Sequence, residues 1–136
     1  MSSYGLETLT REECLQLLVT RGIGRIALQI GDDPAIFPIN YAMLDGDVVF
    51  RTDPGAKLSA AVLRMKVAFE VDQTQPFSHE GWSVLVVGHA EEVRDRAELA
   101  VVARLALRPW AEGVRDQVVR IRAEKVTGRR LTHPAA

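Results

Sequence analysis

Apolar positions along the chain change period several times, and each change predicts an element. Leu15, Leu18 and Val19 recur at helical spacing behind Thr10 and Glu13. That pair forms a T-x-x-E capping box, in which each side chain satisfies an orphan backbone N–H. Leu9 and Cys14 flank the cap where a hydrophobic staple belongs, and Gly22 is expected as a left-handed stop. Strands follow. Residues 25–30 alternate and end at the turn signal Gly31-Asp32-Asp33-Pro34. Residues 35–44 form a second strand, which Asp45-Gly46 joins through a type I′ hairpin turn to a third over 47–51. Asp53-Pro54-Gly55 breaks that strand and opens a helix to about Leu63. Val67, Phe69 and Val71 mark one face of a fourth strand, 67–72, and a polar loop from Gln73 to Glu80 leads to the longest, Trp82 to about Arg94. The centre of that strand, Val84-Leu85-Val86-Val87, is apolar on both faces, which predicts that both are covered. Asp95 caps a helix to Leu107, with Leu99, Val102, Ala103 and Ala106 on one face and Pro109 as its stop. A last strand, about Gln117–Ala123, buries Val119 and Ile121 and points Arg120 and Arg122 the other way.

Six strands joined mostly by hairpins and short connections give a mainly β (α+β) fold. The expectation is a small closed or split barrel of about six antiparallel strands with peripheral helices. The length of 136 residues fits a single domain spanning 1–136. Seventeen basic residues nearly cancel eighteen acidic ones, for a net charge of −1, which argues against nucleic acid or a membrane surface as partner. The single cysteine, Cys14, forms no internal disulfide and supplies no thiolate cluster; on the helix it reads as a small core residue. No apolar run approaches the roughly 20 residues that span a bilayer, and the N-terminus lacks a signal-peptide pattern. The expected location is the cytoplasm.

Most familiar chemistry has no signature. His79, His89 and His133 lack ligand spacing, so no metal site is expected. Gly81-Trp82-Ser83 enters a strand and not a helix, unlike a nucleophile elbow, and Gly22-Ile23-Gly24 precedes a strand where a dinucleotide fingerprint would follow one. The basic C-terminal stretch alternates along a strand and reads as a solvated or ligand-facing side. One segment carries more: Phe50-Arg51-Thr52-Asp53-Pro54-Gly55-Ala56-Lys57-Leu58. An arginine and a hydroxyl end a strand, and a lysine stands at the start of the next helix. Arg51 can grip a phosphate with parallel N–H bonds, Thr52 can donate another and Lys57 adds a point charge. The competing reading is that Asp53 caps the helix and Lys57 is solvated. Trp82 and Trp110 stand at element edges, where tryptophan covers either a flat ligand, a subunit interface or one end of a barrel.

Taken in order, Gly24-Arg25, Phe37-Pro38-Ile39-Asn40-Tyr41, Asp45-Gly46, Phe50-Arg51-Thr52, Gly55-x-Lys57-Leu58, Val67-Ala68-Phe69-Glu70-Val71-Asp72, Gly81-Trp82-Ser83-Val84, Gly88-x-Ala90 and Val126-Thr127-Gly128-Arg129 resemble the pyridoxamine 5'-phosphate oxidase-like FMN-binding split-barrel family. The resemblance covers nearly the whole chain. It implies a homodimer with a flavin in each of two clefts between subunits. By that analogy Arg51, Thr52 and Lys57 would hold the FMN phosphate, with Leu58 beside them, and Asn40 would line the isoalloxazine ring. Trp82 and Ser83 would reach the cofactor from the partner subunit, and Trp110 would help close the cleft. The second apolar face of the long strand would then meet the dimer. The ending Gly128-Arg129-Arg130-Leu131-Thr132-His133-Pro134 does not reproduce the arginine–histidine pattern with which true pyridoxamine 5'-phosphate oxidases grip substrate phosphate. The implied function is a flavin-dependent oxidoreductase of a small organic or nitro compound, using FMN or alternatively a deazaflavin coenzyme. No general acid or base stands out. A non-catalytic flavin carrier or sensor, and an interaction domain that has lost the cofactor, are the alternatives.

Overall fold

The computed structural model describes residues 5–105, 107 and 117–132. Within them the order is β1 (Gly5–Leu9), α1 (Arg11–Val19), β2 (Ile23–Ile30), β3 (Asp33–Asn40), β4 (Ala42–Leu44), β5 (Asp47–Thr52), α2 (Lys57–Val62), β6 (Lys66–Gln75), β7 (Glu80–Glu92), α3 (Arg96–Ala103), β8 (Gln117–Ile121) and β9 (Lys125–Thr132). The sheet path is β3-β2-β6-β7-β8-β5-β4, with β9 added to β7 and β1 to β9. Every pairing is antiparallel. This is a split barrel, and β7 is where it splits. One edge of β7 pairs with β6 along its length. The other edge pairs with β9 over Gly81–Val87 and with β8 over Ala90–Glu92.

The expected six strands become nine for identifiable reasons. Tyr41 divides the predicted strand over 35–44. Its N–H donates to Gly22 O at 3.0 Å, its hydroxyl donates to Leu18 O at 2.5 Å, and its ring meets Phe69 edge-on at 4.9 Å. Anchoring that one buried side chain takes the chain out of β3 before β4 begins. β1 and β9 were missed because they satisfy one another at the sheet's rim. Only Leu9 of β1 and Gly128 of β9 are buried, so neither carries an apolar alternation.

The helix starts agree with the sequence better than the stops. Thr10 and Glu13 form the capping box, with Thr10 N–H donating to Glu13 Oε1 at 2.8 Å and Glu13 N–H to Thr10 Oγ1 at 3.1 Å. Leu9 and Cys14 both pack at Gly128, where a Cβ would fall 2.6 Å from Cys14 Sγ and 3.3 Å from Leu9 Cδ1. Cys14 is accordingly core. Gly22 is not the left-handed stop: α1 closes on Thr20 in right-handed conformation, and Gly22 has no positive φ. Asp95 caps α3 by accepting from Glu98 N–H at 3.0 Å, but the helix ends at Ala103, short of the predicted Leu107. Ala106, Pro109 and Trp110 lie outside the described residues.

The barrel interior gathers Ile26, Phe50, Phe69, Val84, Val86, Val119 and Ile121. Val49, Val102 and Val118 form a smaller cluster under α3. Gly24 explains itself in this core, since a Cβ there would fall 2.4 Å from the Phe69 ring. The outer side of β7 behaves differently from expectation: Val84 and Val86 are fully buried, whereas Leu85 is 38% exposed. In one chain only the barrel face of that strand is covered. Among the described residues no helix is long and apolar enough to cross a membrane.

Arg120 is no solvated strand residue. It is 7% exposed, donates through Nε to Asp47 Oδ2 at 2.8 Å and through Nη1 to Glu98 Oε2 at 3.0 Å. Asp47 also accepts from Ala123 N–H at 2.8 Å and from Arg122 Nη1 at 3.3 Å. Deleting this carboxylate leaves a buried guanidinium short of its main counter-charge. Asp47→Ala should therefore lower unfolding stability by about 3 kcal/mol, measured as a shift in the urea midpoint at unchanged slope; a loss within ~0.5 kcal/mol would show the pair to be a surface ornament.

Candidate functional site

Two places in the structure concentrate the expected site residues. The first lies where β5 runs out. Thr52 is buried, on the barrel side with Phe50, and Arg51 is half-buried on the α3 side with Val49, because successive strand residues alternate between faces. Asp53 closes the turn past the strand's end. Its Oδ1 accepts from Gly55 N–H at 2.9 Å and its carbonyl from Ala56 N–H at 2.9 Å. It does not cap α2, whose N-cap is Ala56, with no side-chain bond to the first turn. Lys57 stands at the helix start, exposed and in no ion pair among the described residues. Leu58 points the opposite way, into the barrel core. Asn40 ends β3 two residues before Ala42, which pairs with Val49, and Arg51 lies two residues beyond Val49, so both run to the same end of that hairpin.

Ser59, which sequence reasoning missed, fixes this corner. It is buried, and its hydroxyl donates to Gln117 Oε1; Gln117 is in turn the cross-strand partner of Thr52. The hydrogen bond ties α2 to β8. A serine in an ordinary amphipathic position carries no sequence signal for such a role.

The second place is a groove of about 450 Å³ at the far end of β7, lined by Asp72, His79, Trp82, Ser83, Arg129 and Leu131 among others. Trp82 shares the inward side of β7 with Val84 and packs on the core, whereas Ser83 is on the outward side, so the indole and the hydroxyl reach the groove from opposite faces. Asp72, Ser83 and Arg129 are successive cross-strand partners on β6, β7 and β9. His79 belongs to the loop, as expected, with φ of 58°, and also walls the groove. Arg129 was visible only as the end of a motif and Asp72 only as a strand end. Among the described residues no cluster of ligating side chains is arranged for a metal.

A family model described as pyridoxamine 5'-phosphate oxidase matches residues 10–130. The chain belongs to the pyridoxamine 5'-phosphate oxidase-like family. A Mycobacterium tuberculosis relative named uncharacterized protein Rv0080 is 41% identical over 128 residues, 90% of this chain and 84% of the relative. A solved FAD-binding protein from Mycobacterium smegmatis superposes with a TM-score of 0.81 at 39% identity, covering 91% of this chain and 98% of that one. A candidate pyridoxamine 5'-phosphate oxidase from Corynebacterium glutamicum gives 0.82 at 34% identity, covering 94% and 99%. The pyridoxamine 5'-phosphate oxidase-like fold thus accounts for the split at β7.

In this family member the two residue sets are far apart within one chain. Arg51 pairs with Val118, whose carbonyl accepts from Val93 N–H at 2.9 Å. From Val93 back to Trp82 is ~35 Å of strand path at about 3.3 Å per residue. The structure brings Arg51, Thr52, Lys57 and Asn40 to one end, and Trp82 and Ser83 to the other. Trp110 lies outside the described residues.

Beside the groove, Arg25 Nη2 donates to Glu70 Oε1 and to Asp72 Oδ2, both at 2.6 Å. Partial burial pushes the Glu70 carboxyl up, and the hydrogen bond between the two acids adds to it, whereas the same hydrogen bond holds Asp72 down. The raised group favours folding at low pH and loses that contribution as pH rises through its folded value; the lowered group does the reverse. Relative to wild type, the melting temperature of Glu70→Gln should therefore rise as pH goes from about 4 to about 8, whereas that of Asp72→Asn should fall as pH rises from about 2 to about 4 and stay level above it. Parallel profiles for the two variants would mean that both acids titrate independently.

Proposed function

We propose that this chain binds a flavin nucleotide in a cleft completed by a second copy, and serves as a flavin-dependent oxidoreductase for a small organic or nitro compound. The observation that carries this reading is that three donors suited to a phosphate, Arg51 and Thr52 at the end of β5 and Lys57 at the start of α2, flank one turn. The donor set fits a phosphate: a guanidinium fork, a hydroxyl fixed by burial and an ammonium with no carboxylate partner among the described residues. Arg51 and Lys57 neutralise the anion, Thr52 orients it, and the Ser59–Gln117 bond keeps the corner rigid. Asn40 lies at the same end to meet the ring. Trp82 and Ser83 lie too far along β7 to serve the same cofactor in one chain, so a two-fold partner supplies them, and the open outer side of β7 around Leu85 becomes an interface. When bound, the flavin supplies hydride or electron transfer. The chain's own residues bind and orient it, exclude water from the ring and set the charge around it.

FMN fits the phosphate corner as the smallest such cofactor, with a deazaflavin coenzyme as the alternative. The description of the 39% identical Mycobacterium smegmatis protein as FAD-binding supports a dinucleotide flavin that uses the same corner. The test is to purify the protein, measure its mass in solution and its visible spectrum, and identify any extracted chromophore. Two chains carrying two flavins are expected, reducible by NADPH or reduced deazaflavin and reoxidised by a quinone or nitro compound. A colourless monomer that takes up neither FMN, FAD nor deazaflavin would overturn the reading. A bound flavin that no donor reduces would make the protein a carrier.

A further inference from the structure

The groove at the Trp82 end contains a cation that the phosphate corner does not use. Arg129 projects from the outward face of β9, beside Ser83 across the strand, and makes no hydrogen bond or ion pair among the described residues. The neighbouring acid in that row, Asp72, is already engaged by Arg25 at 2.6 Å, so it does not neutralise Arg129. The rest of the groove offers apolar surface from Leu6, Pro76, Trp82 and Leu131. The combination is an apolar wall with one guanidinium fork and one hydroxyl at its side.

We infer that Arg129 and Ser83 form a subsite for the carboxylate of a monoanionic substrate with an apolar body. The inference rests on the proposed flavin cleft, which this groove completes from the second copy, and it names the substrate class. Guanidinium and carboxylate match in geometry through two parallel N–H···O bonds, and a serine hydroxyl adds a third donor. A monoanion fits better than a phosphate dianion, because the subsite has one cation and lies within two strands of the Asp72 carboxylate. The apolar body of the substrate lies against Leu131 and Leu6, which share the face of Arg129, whereas Trp82 stands on the other face of β7.

The experiment is calorimetric titration of the flavin-saturated protein with benzoate, benzamide and phenyl phosphate, repeated on Arg129→Ala and Arg129→Lys. Benzoate should bind at least about tenfold more tightly than benzamide, its neutral isostere, and more tightly than phenyl phosphate. Arg129→Ala should abolish the preference and Arg129→Lys restore part of it, with flavin content and oligomeric state unchanged. Equal binding of acid and amide, a preference for phenyl phosphate, or a preference that survives Arg129→Ala overturns the inference. So does loss of flavin or of the oligomer in Arg129→Ala, which would assign the guanidinium to the cofactor or the subunit interface. The same titration on protein without flavin keeps the two readings apart. Failure of the wild type to retain flavin sinks the cofactor assignment, while the benzoate preference there stands or falls on Arg129.

Discussion

The double variant Arg51→Ala, Lys57→Ala is expected to purify folded and colourless. Both side chains stand clear of the main barrel core: Arg51 is half-buried on the α3 side of β5 and Lys57 is exposed at the start of a short helix. Their removal should therefore cost little stability and leave the melting temperature of the apo protein within a few degrees of wild type. Binding should respond very differently. In the proposed site each cation would contribute a charge-assisted hydrogen bond to the phosphate, so losing both should weaken flavin affinity by about a thousandfold or more. Equilibrium dialysis against FMN and FAD, with the melting curve as control, checks both halves of the statement. If the double variant retained flavin as well as wild type, the phosphate would have to sit elsewhere. Thr52→Ala should weaken binding by less, about tenfold, because a neutral hydroxyl contributes one ordinary hydrogen bond.

What could be read from the sequence was what local physics decides. Asp45-Gly46 forces positive φ at both turn residues, and the structure has 50° and 84° there. The Thr10–Glu13 box closes as a box because both partners lie within four residues of each other. The features that escaped are those that depend on a distant segment. β1 and β9 exist because each is the other's partner across 119 or more residues, and neither carries enough apolar alternation to announce itself. Asp53 has the composition of a helix cap, yet the turn through Gly55 captures its carboxylate first. Arg120 lies under α3 because Asp47 and Glu98 meet it from two other elements. The candidate site divides along the same line. Arg51, Thr52 and Lys57 are close in sequence and legible as a motif. The Asp72–Ser83–Arg129 row is assembled from three strands and becomes visible only with the register.

That register depends on one glycine, and Gly88→Ala should have the largest stability effect of any single methyl added to this chain's barrel. A Cβ at Gly88 would lie 1.6 Å from the Arg122 carbonyl oxygen and 2.8 Å from its carbon. Both atoms are backbone, so no rotamer relieves the contact. The segment cannot simply retreat, because it is held from both sides: Arg122 N–H donates to His89 O at 3.0 Å and Glu124 N–H donates to Val87 O at 3.1 Å. These two bonds straddle the point where β7 exchanges β9 for β8. Accommodating a methyl means breaking them and sliding one half of the split barrel against the other. The loss should exceed the roughly 3 kcal/mol at the top of the usual overpacking range, and the variant should recover poorly in soluble form at 37 °C. Gly22→Ala is the matched control, since nothing lies within 4 Å of a Cβ there and its φ is ordinary; it should melt within a few degrees of wild type. A Gly88→Ala protein as stable as the control would show that the crossing is loose. The functional consequence follows from position: β8 carries Gln117 and so the phosphate corner, and β9 carries Arg129 and so the groove, each hung on β7 on either side of Gly88. Milder substitutions that slacken the crossing without unfolding it should shift the groove relative to the corner, and weaken flavin retention before they lower the melting temperature.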